Sequence, residues 1–131
     1  MIGLDTNVLV RYIMQDDAVQ SPLATSLIES CSAAAPAFVP LVTVVELFWV
    51  MSSSYELDRR QLAEAIEGLL RAKELVVERA EIVWQALRVF QRARADFADI
   101  LIERSAAAAG CAMTLTFDRG AAKSGGMTLV A

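Results

Sequence analysis

Four acidic residues stand where a folded chain could gather them for chemistry: Asp5, Glu46, Asp99 and Asp118. Asp5 ends the short apolar run Met1-Ile-Gly-Leu4, and a carboxylate at the end of a buried strand reads as the floor of an active site. Asp118 follows the apolar segment Ala112-Met-Thr-Leu115 closely. Glu46 and Asp99 each fall three residues after a helix-start signal, in Thr43-Val-Val-Glu46 and Asp96-Phe-Ala-Asp99. Three of the four have a purely structural explanation as well. Glu46 completes the pattern of a capping box, Asp99 is an acid in a first helical turn, and Asp118 suits a turn or cap. Asp5 is the hardest of them to explain by structure alone.

Carboxylates held together repel one another. A pair 4 Å apart at an effective dielectric near 20 costs about 4 kcal/mol, so such a cluster needs protonation or a divalent cation. With oxygen ligands only, the cation is a hard one, Mg²⁺ or Mn²⁺, which keeps several waters and accepts phosphate oxygens. That chemistry is metal-assisted attack on phosphorus. The chain contains no histidine. Imidazole bases, His-ligated zinc and the histidine-dependent serine and cysteine triads are therefore excluded.

The elements that must position these acids are short apolar strands alternating with amphipathic helices. Strands are expected at Ile2-Gly-Leu4, Ala37-Phe-Val39, Leu75-Val-Val77, Ala112-Met-Thr-Leu115 and Met127 to Val130. Between them, Asn7 to Met14 carries a helical stripe, and Ser21-Pro22 reads as an N-cap followed by a first-turn proline. Thr43 to Glu46 and Asp58-Arg-Arg-Gln61 read as capping boxes. Ile82 to Phe90 is amphipathic, and Asp96 suits the cap of the helix that ends near Gly110. The alternation predicts an α/β sandwich with a parallel sheet of four to five strands covered by helices. In such sheets ligands bind outside the carboxyl ends of the strands, the side on which all four acids are expected.

At 131 residues the chain fits a single domain, 1–131, around one core. It is 56% hydrophobic with a formal charge of −4, which offers no general attraction for a phosphate backbone. A nucleic-acid partner would have to be drawn by cations and by local arginines such as Arg11, Arg59, Arg60, Arg92 or Arg94. Cys31 and Cys111 lack metal or disulfide spacing and read as reduced core thiols. Trp49 and Trp84 read as core or dimer contacts. The apolar run from Ala33 to Met51 is broken by Pro36, Pro40, Thr43 and Glu46, so it reads as strand, turn and helix rather than a membrane span. The N-terminus carries no signal-peptide pattern, and the expected location is the cytoplasm.

Asp5-Thr-Asn-Val-Leu9, Glu46 within Thr43-Val-Val-Glu46, Asp96-Phe-Ala-Asp99 and Thr116-Phe-Asp118 together resemble the PIN-domain nucleases, specifically the VapC toxins of type II toxin–antitoxin pairs. The resemblance spans essentially the whole chain, and its order and spacing are more specific than any single motif. It implies a PIN-like three-layer sandwich and an Mg²⁺- or Mn²⁺-dependent endoribonuclease acting on tRNA or rRNA. It further implies that Asp5 and Asp99 are the principal metal ligands, with Glu46 and Asp118 completing the pocket. Thr6, Asn7 and Thr116 would orient those carboxylates, and Asp96 matches a further acidic position of part of the family while also explained as a helix cap. The implied partners are a cognate VapB-type antitoxin, an RNA substrate and a second copy in a homodimer.

Rival readings fit less well. A haloacid-dehalogenase-type phosphatase needs a second aspartate where Asn7 stands. A receiver-type signalling domain needs paired acids after the first strand and an acceptor aspartate after the third, where Glu78 stands. A catalytically idle PIN-like binding domain would have little reason to keep all four acids.

Overall fold

Strand β1 (Ile2–Gly3) leads through Leu4 and Asp5 directly into helix α1 (Thr6–Met14), followed by α2 (Gln20–Glu29) and strand β2 (Ala37–Val39). Helices α3 (Leu41–Ser53) and α4 (Arg59–Arg71) precede β3 (Leu75–Val77). The computed structural model describes residues 1–131. These elements make up the first of two units, Met1–Ala80 and Glu81–Ala131.

In the first unit the strands lie in the order β1-β2-β3. All are parallel, with Ile2 beside Ala37, and Ala37 and Val39 beside Leu75 and Val77. Parallel neighbours need a crossover, and two helices make each one here. Leu9, Ile28, Val39, Val44, Leu47, Met51 and Ile66 are buried to within 1% of full exclusion and form the core of this unit. Fully burying one such side chain contributes roughly 1.5–3 kcal/mol.

The second unit holds α5 (Ala80–Arg92), which starts at the junction, then α6 (Phe97–Ala108), β4 (Leu115–Thr116), α7 (Arg119–Ser124) and β5 (Thr128–Leu129). Strands β4 and β5 pair in parallel, Leu115 beside Thr128 and Thr116 beside Leu129. Phe97 is fully buried and meets Phe90 edge to face, with ring centroids 5.7 Å apart at 86°. The Arg88 guanidinium lies 5.7 Å from the centre of the Trp84 ring.

The α/β class and the parallel pairing are as the sequence predicts, and the five strands divide into a three-stranded and a two-stranded sheet. Several local expectations are corrected. Only Leu4 of the first strand is buried, while Ile2 is 45% exposed, because β1 lies at the edge of its sheet. Helix α2 starts before Ser21, because Asp17 Oδ1 accepts the N–H groups of Val19 and Gln20. Ser21 is buried, and its hydroxyl accepts from the Asp17 N–H at 3.3 Å.

Pairing in β4 begins at Leu115, so Ala112 to Thr114 precede the strand. Helix α7 carries only a small buried patch, Ala121, and so had no periodic signal. Neither cysteine is a core thiol, since Cys31 is half-buried and Cys111 exposed, both free. Trp49 is 66% exposed rather than core. The Ala33 to Met51 run resolves into β2 and α3, and no helix is long and apolar enough to cross a membrane.

Candidate functional site

In the first unit the site is built on the ends of β1 and β2. The strands are adjacent and parallel, so the helices that follow them start from the same edge. Leu4 donates its N–H to the Phe38 carbonyl at 2.9 Å, extending the ladder to the residue before Asp5. Asp5 then caps α1 from an extended conformation, its Oδ1 accepting the Thr6 N–H at 2.8 Å. Thr6 is 6% exposed, and its hydroxyl donates to Glu46 Oε1. One buried side chain thus joins the start of α1 to α3.

Glu46 is not the end of a capping box. Helix α3 begins at Leu41, with Pro40 as its cap residue and no side-chain cap bond from it. The Leu41 N–H is instead satisfied by the Glu78 carboxylate at 2.8 Å, from the end of β3. Thr43 is buried inside the helix and donates its hydroxyl to the Leu4 carbonyl at 3.5 Å, a long and weak contact. Glu46 therefore lies in the second turn, where its carboxylate caps nothing and is free to face the Asp5 region. Asp5, Thr6, Asn7 and Glu46 line a cleft of about 500 Å³ together with Arg11 and Tyr55.

In the second unit three aspartates gather at helix starts. Asp96 caps α6, its Oδ2 accepting the Asp99 N–H at 3.1 Å, as the sequence pattern predicts. Asp118 caps α7 through Oδ1, which accepts the Ala121 N–H at 3.0 Å. Thr116 accepts the Asp118 N–H on its hydroxyl at 3.0 Å, so it braces the backbone of Asp118. Gly120 leaves room for that carboxylate, since a Cβ there would stand 3.1 Å from Asp118 Oδ1. The Asp99 carboxyl is held above the usual carboxylate range, first by burial and then by the charges of Asp96 and Asp118.

Capping and ligation are compatible in this geometry, because each cap uses one oxygen of its carboxylate. Asp5 and Asp118 spend Oδ1 and Asp96 spends Oδ2, which leaves a second oxygen on each. A hard cation fits a donor set that is all oxygen. It also fits Asp99, whose resistance to ionising is what a neighbouring positive charge relieves. No group of three acidic or thiol side chains is drawn in to metal-binding spacing.

Sequence reasoning missed Glu78 as the cap of α3. It also missed the network in which Arg11 donates to Asp16 at 3.2 Å and to Tyr55, while the Tyr55 hydroxyl donates to Asp16 at 2.5 Å. Tyr55 is too far along the chain from Arg11 for any local pattern to link them.

A family model described as PIN domain matches residues 2–126. A VapC ribonuclease of Aquifex aeolicus (strain VF5) is 23% identical over 116 residues, covering 88% of this chain and 86% of that protein.

Proposed function

The chain belongs to the PIN domain family, and from that premise we propose that it is a metal-dependent endoribonuclease, the toxin of a type II pair restrained by a VapB-type antitoxin. The observation that carries the reading is the Thr6 to Glu46 hydrogen bond. It ties a carboxylate with no capping duty to the residue beside Asp5, and so gathers two acids that are far apart in sequence. The similarity to a VapC ribonuclease supports the same activity.

In this reading 1–131 acts as one PIN domain, in which Asp5, Glu46, Asp99 and Asp118 together hold Mg²⁺ or Mn²⁺. When bound, the cation neutralises phosphate charge and lowers the pKa of the attacking water. The chain's own residues set the geometry. Asp5 offers the oxygen its cap leaves over, and Thr6, excluded from water, fixes the direction of Glu46. Asp99, raised above the ordinary carboxylate value by burial and by its acidic neighbours, is favoured as a carboxylate by a cation beside it, and Thr116 and the α7 cap hold Asp118 in place. Asn7 borders the cleft, where its amide can meet a phosphate or a bound water. Asp96 caps α6 and adds negative charge, a role short of direct ligation.

The acidic cleft also suits a basic antitoxin side chain. An RNA substrate, tRNA or rRNA, a homodimer and a cytoplasmic site of action belong to the same proposal.

The test is cleavage of total cellular RNA by antitoxin-free protein in Mg²⁺, Mn²⁺ or EDTA, beside Asp5→Asn. Discrete metal-dependent fragments that vanish in the variant are expected. No cleavage under any metal would instead favour an idle PIN-like binding domain.

A further inference from the structure

The lining of the cleft that holds Asp5 and Glu46 has a second, chemically different part. Arg11 and Tyr55 belong to it, and the two are locked to each other and to Asp16. Arg11 Nε donates to Gln20 at 2.8 Å, and Nη1 donates to Asp16 and to the Tyr55 hydroxyl, both at 3.2 Å. Tyr55 in turn donates to Asp16 at 2.5 Å. The guanidinium is thereby immobilised through two of its three nitrogens, and both N–H groups of Nη2 are left without a protein acceptor. The Arg11 side chain is 30% exposed, so water or a ligand can reach it. Two hydrogen bonds anchor the hydroxyl end of the Tyr55 side chain beside Arg11.

Three of the other candidate arginines are differently placed. Arg60 is 80% exposed and pairs with Glu64 on the same helix face, and Arg92 and Arg94 are exposed. A preorganised guanidinium with one open nitrogen matches a phosphate, which Nη2 can meet with its remaining N–H donors at little entropic cost. An aromatic ring anchored beside it matches an unstacked base, the way proteins hold single-stranded RNA. From the Asp5 cap to Arg11 the rise along α1 is about 9 Å. That rise is on the order of one or two nucleotide steps along a single strand.

We propose that Arg11 and Tyr55 form a subsite for the nucleotide flanking the scissile phosphate, its phosphate on Arg11 Nη2 and its base against the Tyr55 ring. The assignment rests on the nuclease reading above and makes both side chains substrate-binding residues. Gln20 and Asp16 act through Arg11, setting its direction while sparing Nη2.

The experiment is equilibrium binding of a labelled single-stranded RNA oligonucleotide to the full chain across a salt series. It is done in the Asp99→Asn background, so that the RNA stays whole, with cleavage kinetics measured separately on chains that keep Asp99. Arg11→Gln is expected to weaken binding about tenfold and to make the slope of log affinity on log salt shallower by about 0.7, one phosphate contact on a single strand. Its cleavage should show a raised KM with kcat within about twofold of the unsubstituted chain. Tyr55→Leu should lose about tenfold in binding with the salt slope unchanged, whereas Tyr55→Phe, which keeps the ring, should stay much closer to the parent.

Should Arg11→Gln fail to fold, Arg11→Lys carries the test. It retains the charge but not the planar fork, so the slope should persist at reduced affinity. An Arg11→Gln protein that folds and binds with unchanged affinity and slope overturns the subsite, as does an unsubstituted Arg11 chain that binds no RNA. Cleavage unaffected in both Arg11→Gln and Tyr55→Leu would remove the subsite and leave the nuclease standing. Arg11-dependent binding with no cleavage under any metal would do the reverse.

Discussion

Replacing Thr6 by Val removes one hydroxyl and keeps the branched shape, the volume and the backbone N–H that Asp5 accepts. The lost contact is the hydrogen bond to Glu46. A bond to an ionised group contributes roughly 1.5–3 kcal/mol, but Glu46 is exposed, and water replaces the missing donor. The stability cost should therefore fall at or below about 1 kcal/mol. Activity should respond far more, because an acid that loses its orienting partner typically costs 10- to 100-fold in metal affinity or rate. That loss corresponds to about 1.4–2.7 kcal/mol of transition-state stabilisation.

The assay pairs urea unfolding with Mg²⁺ titration and RNA cleavage on the same protein. Thr6→Ser, which restores a hydroxyl, should recover most of the activity. A Thr6→Val protein within twofold of the parent in both metal affinity and cleavage would refute the orienting role. So would a Thr6→Ser protein as impaired as Thr6→Val.

Asp99 gives a pH signature of known sign. Its folded pKa is raised, so the native state binds the proton more tightly than the unfolded chain, and its contribution to stability falls as pH rises from the ordinary value of 3.8 through the folded value. In metal-free buffer at pH 7 Asp99→Asn should melt above the parent, with the difference fading below about pH 3.8. Millimolar Mg²⁺ should raise the melting temperature of the parent and do much less for the variant; equal shifts in both would remove Asp99 from the ligand set. Asp58→Ala serves as the contrasting case, since it breaks a capping box in which Asp58 and Gln61 exchange hydrogen bonds at 2.8 and 3.0 Å. It should cost about 1 kcal/mol in urea unfolding, with cleavage per folded molecule unchanged.

Where a signal was local, the sequence carried it. The Asp58 to Gln61 box and the Asp96 cap on Asp99 both lie within one helical turn and form as their patterns predict. The strands Ala37–Val39 and Leu75–Val77 were legible as short apolar runs. The Thr43 to Glu46 pattern is equally good by local rules and misleads, because α3 starts earlier, at Leu41, whose N–H is met from the end of β3 by Glu78. The start of α2 misleads for a related reason: Asp17 takes the duty that Ser21 seemed placed to perform.

The amino-acid sequence by itself determined the chemistry open to this protein. It supplies carboxylates and no imidazole, places those acids at strand ends and helix starts, and alternates apolar strands with amphipathic helices, which commits the chain to parallel pairing. These properties depend on residue type and spacing within a few positions. Only the tertiary structure decided which acids are spent on caps and which are held for other use. It released Glu46 from capping, turned the Thr6 hydroxyl onto it, and locked Arg11 against Tyr55 in the lining of the same cleft. A hydrogen bond between residues forty positions apart leaves no trace in local spacing, because its partners meet only when adjacent parallel strands bring their following helices to one edge.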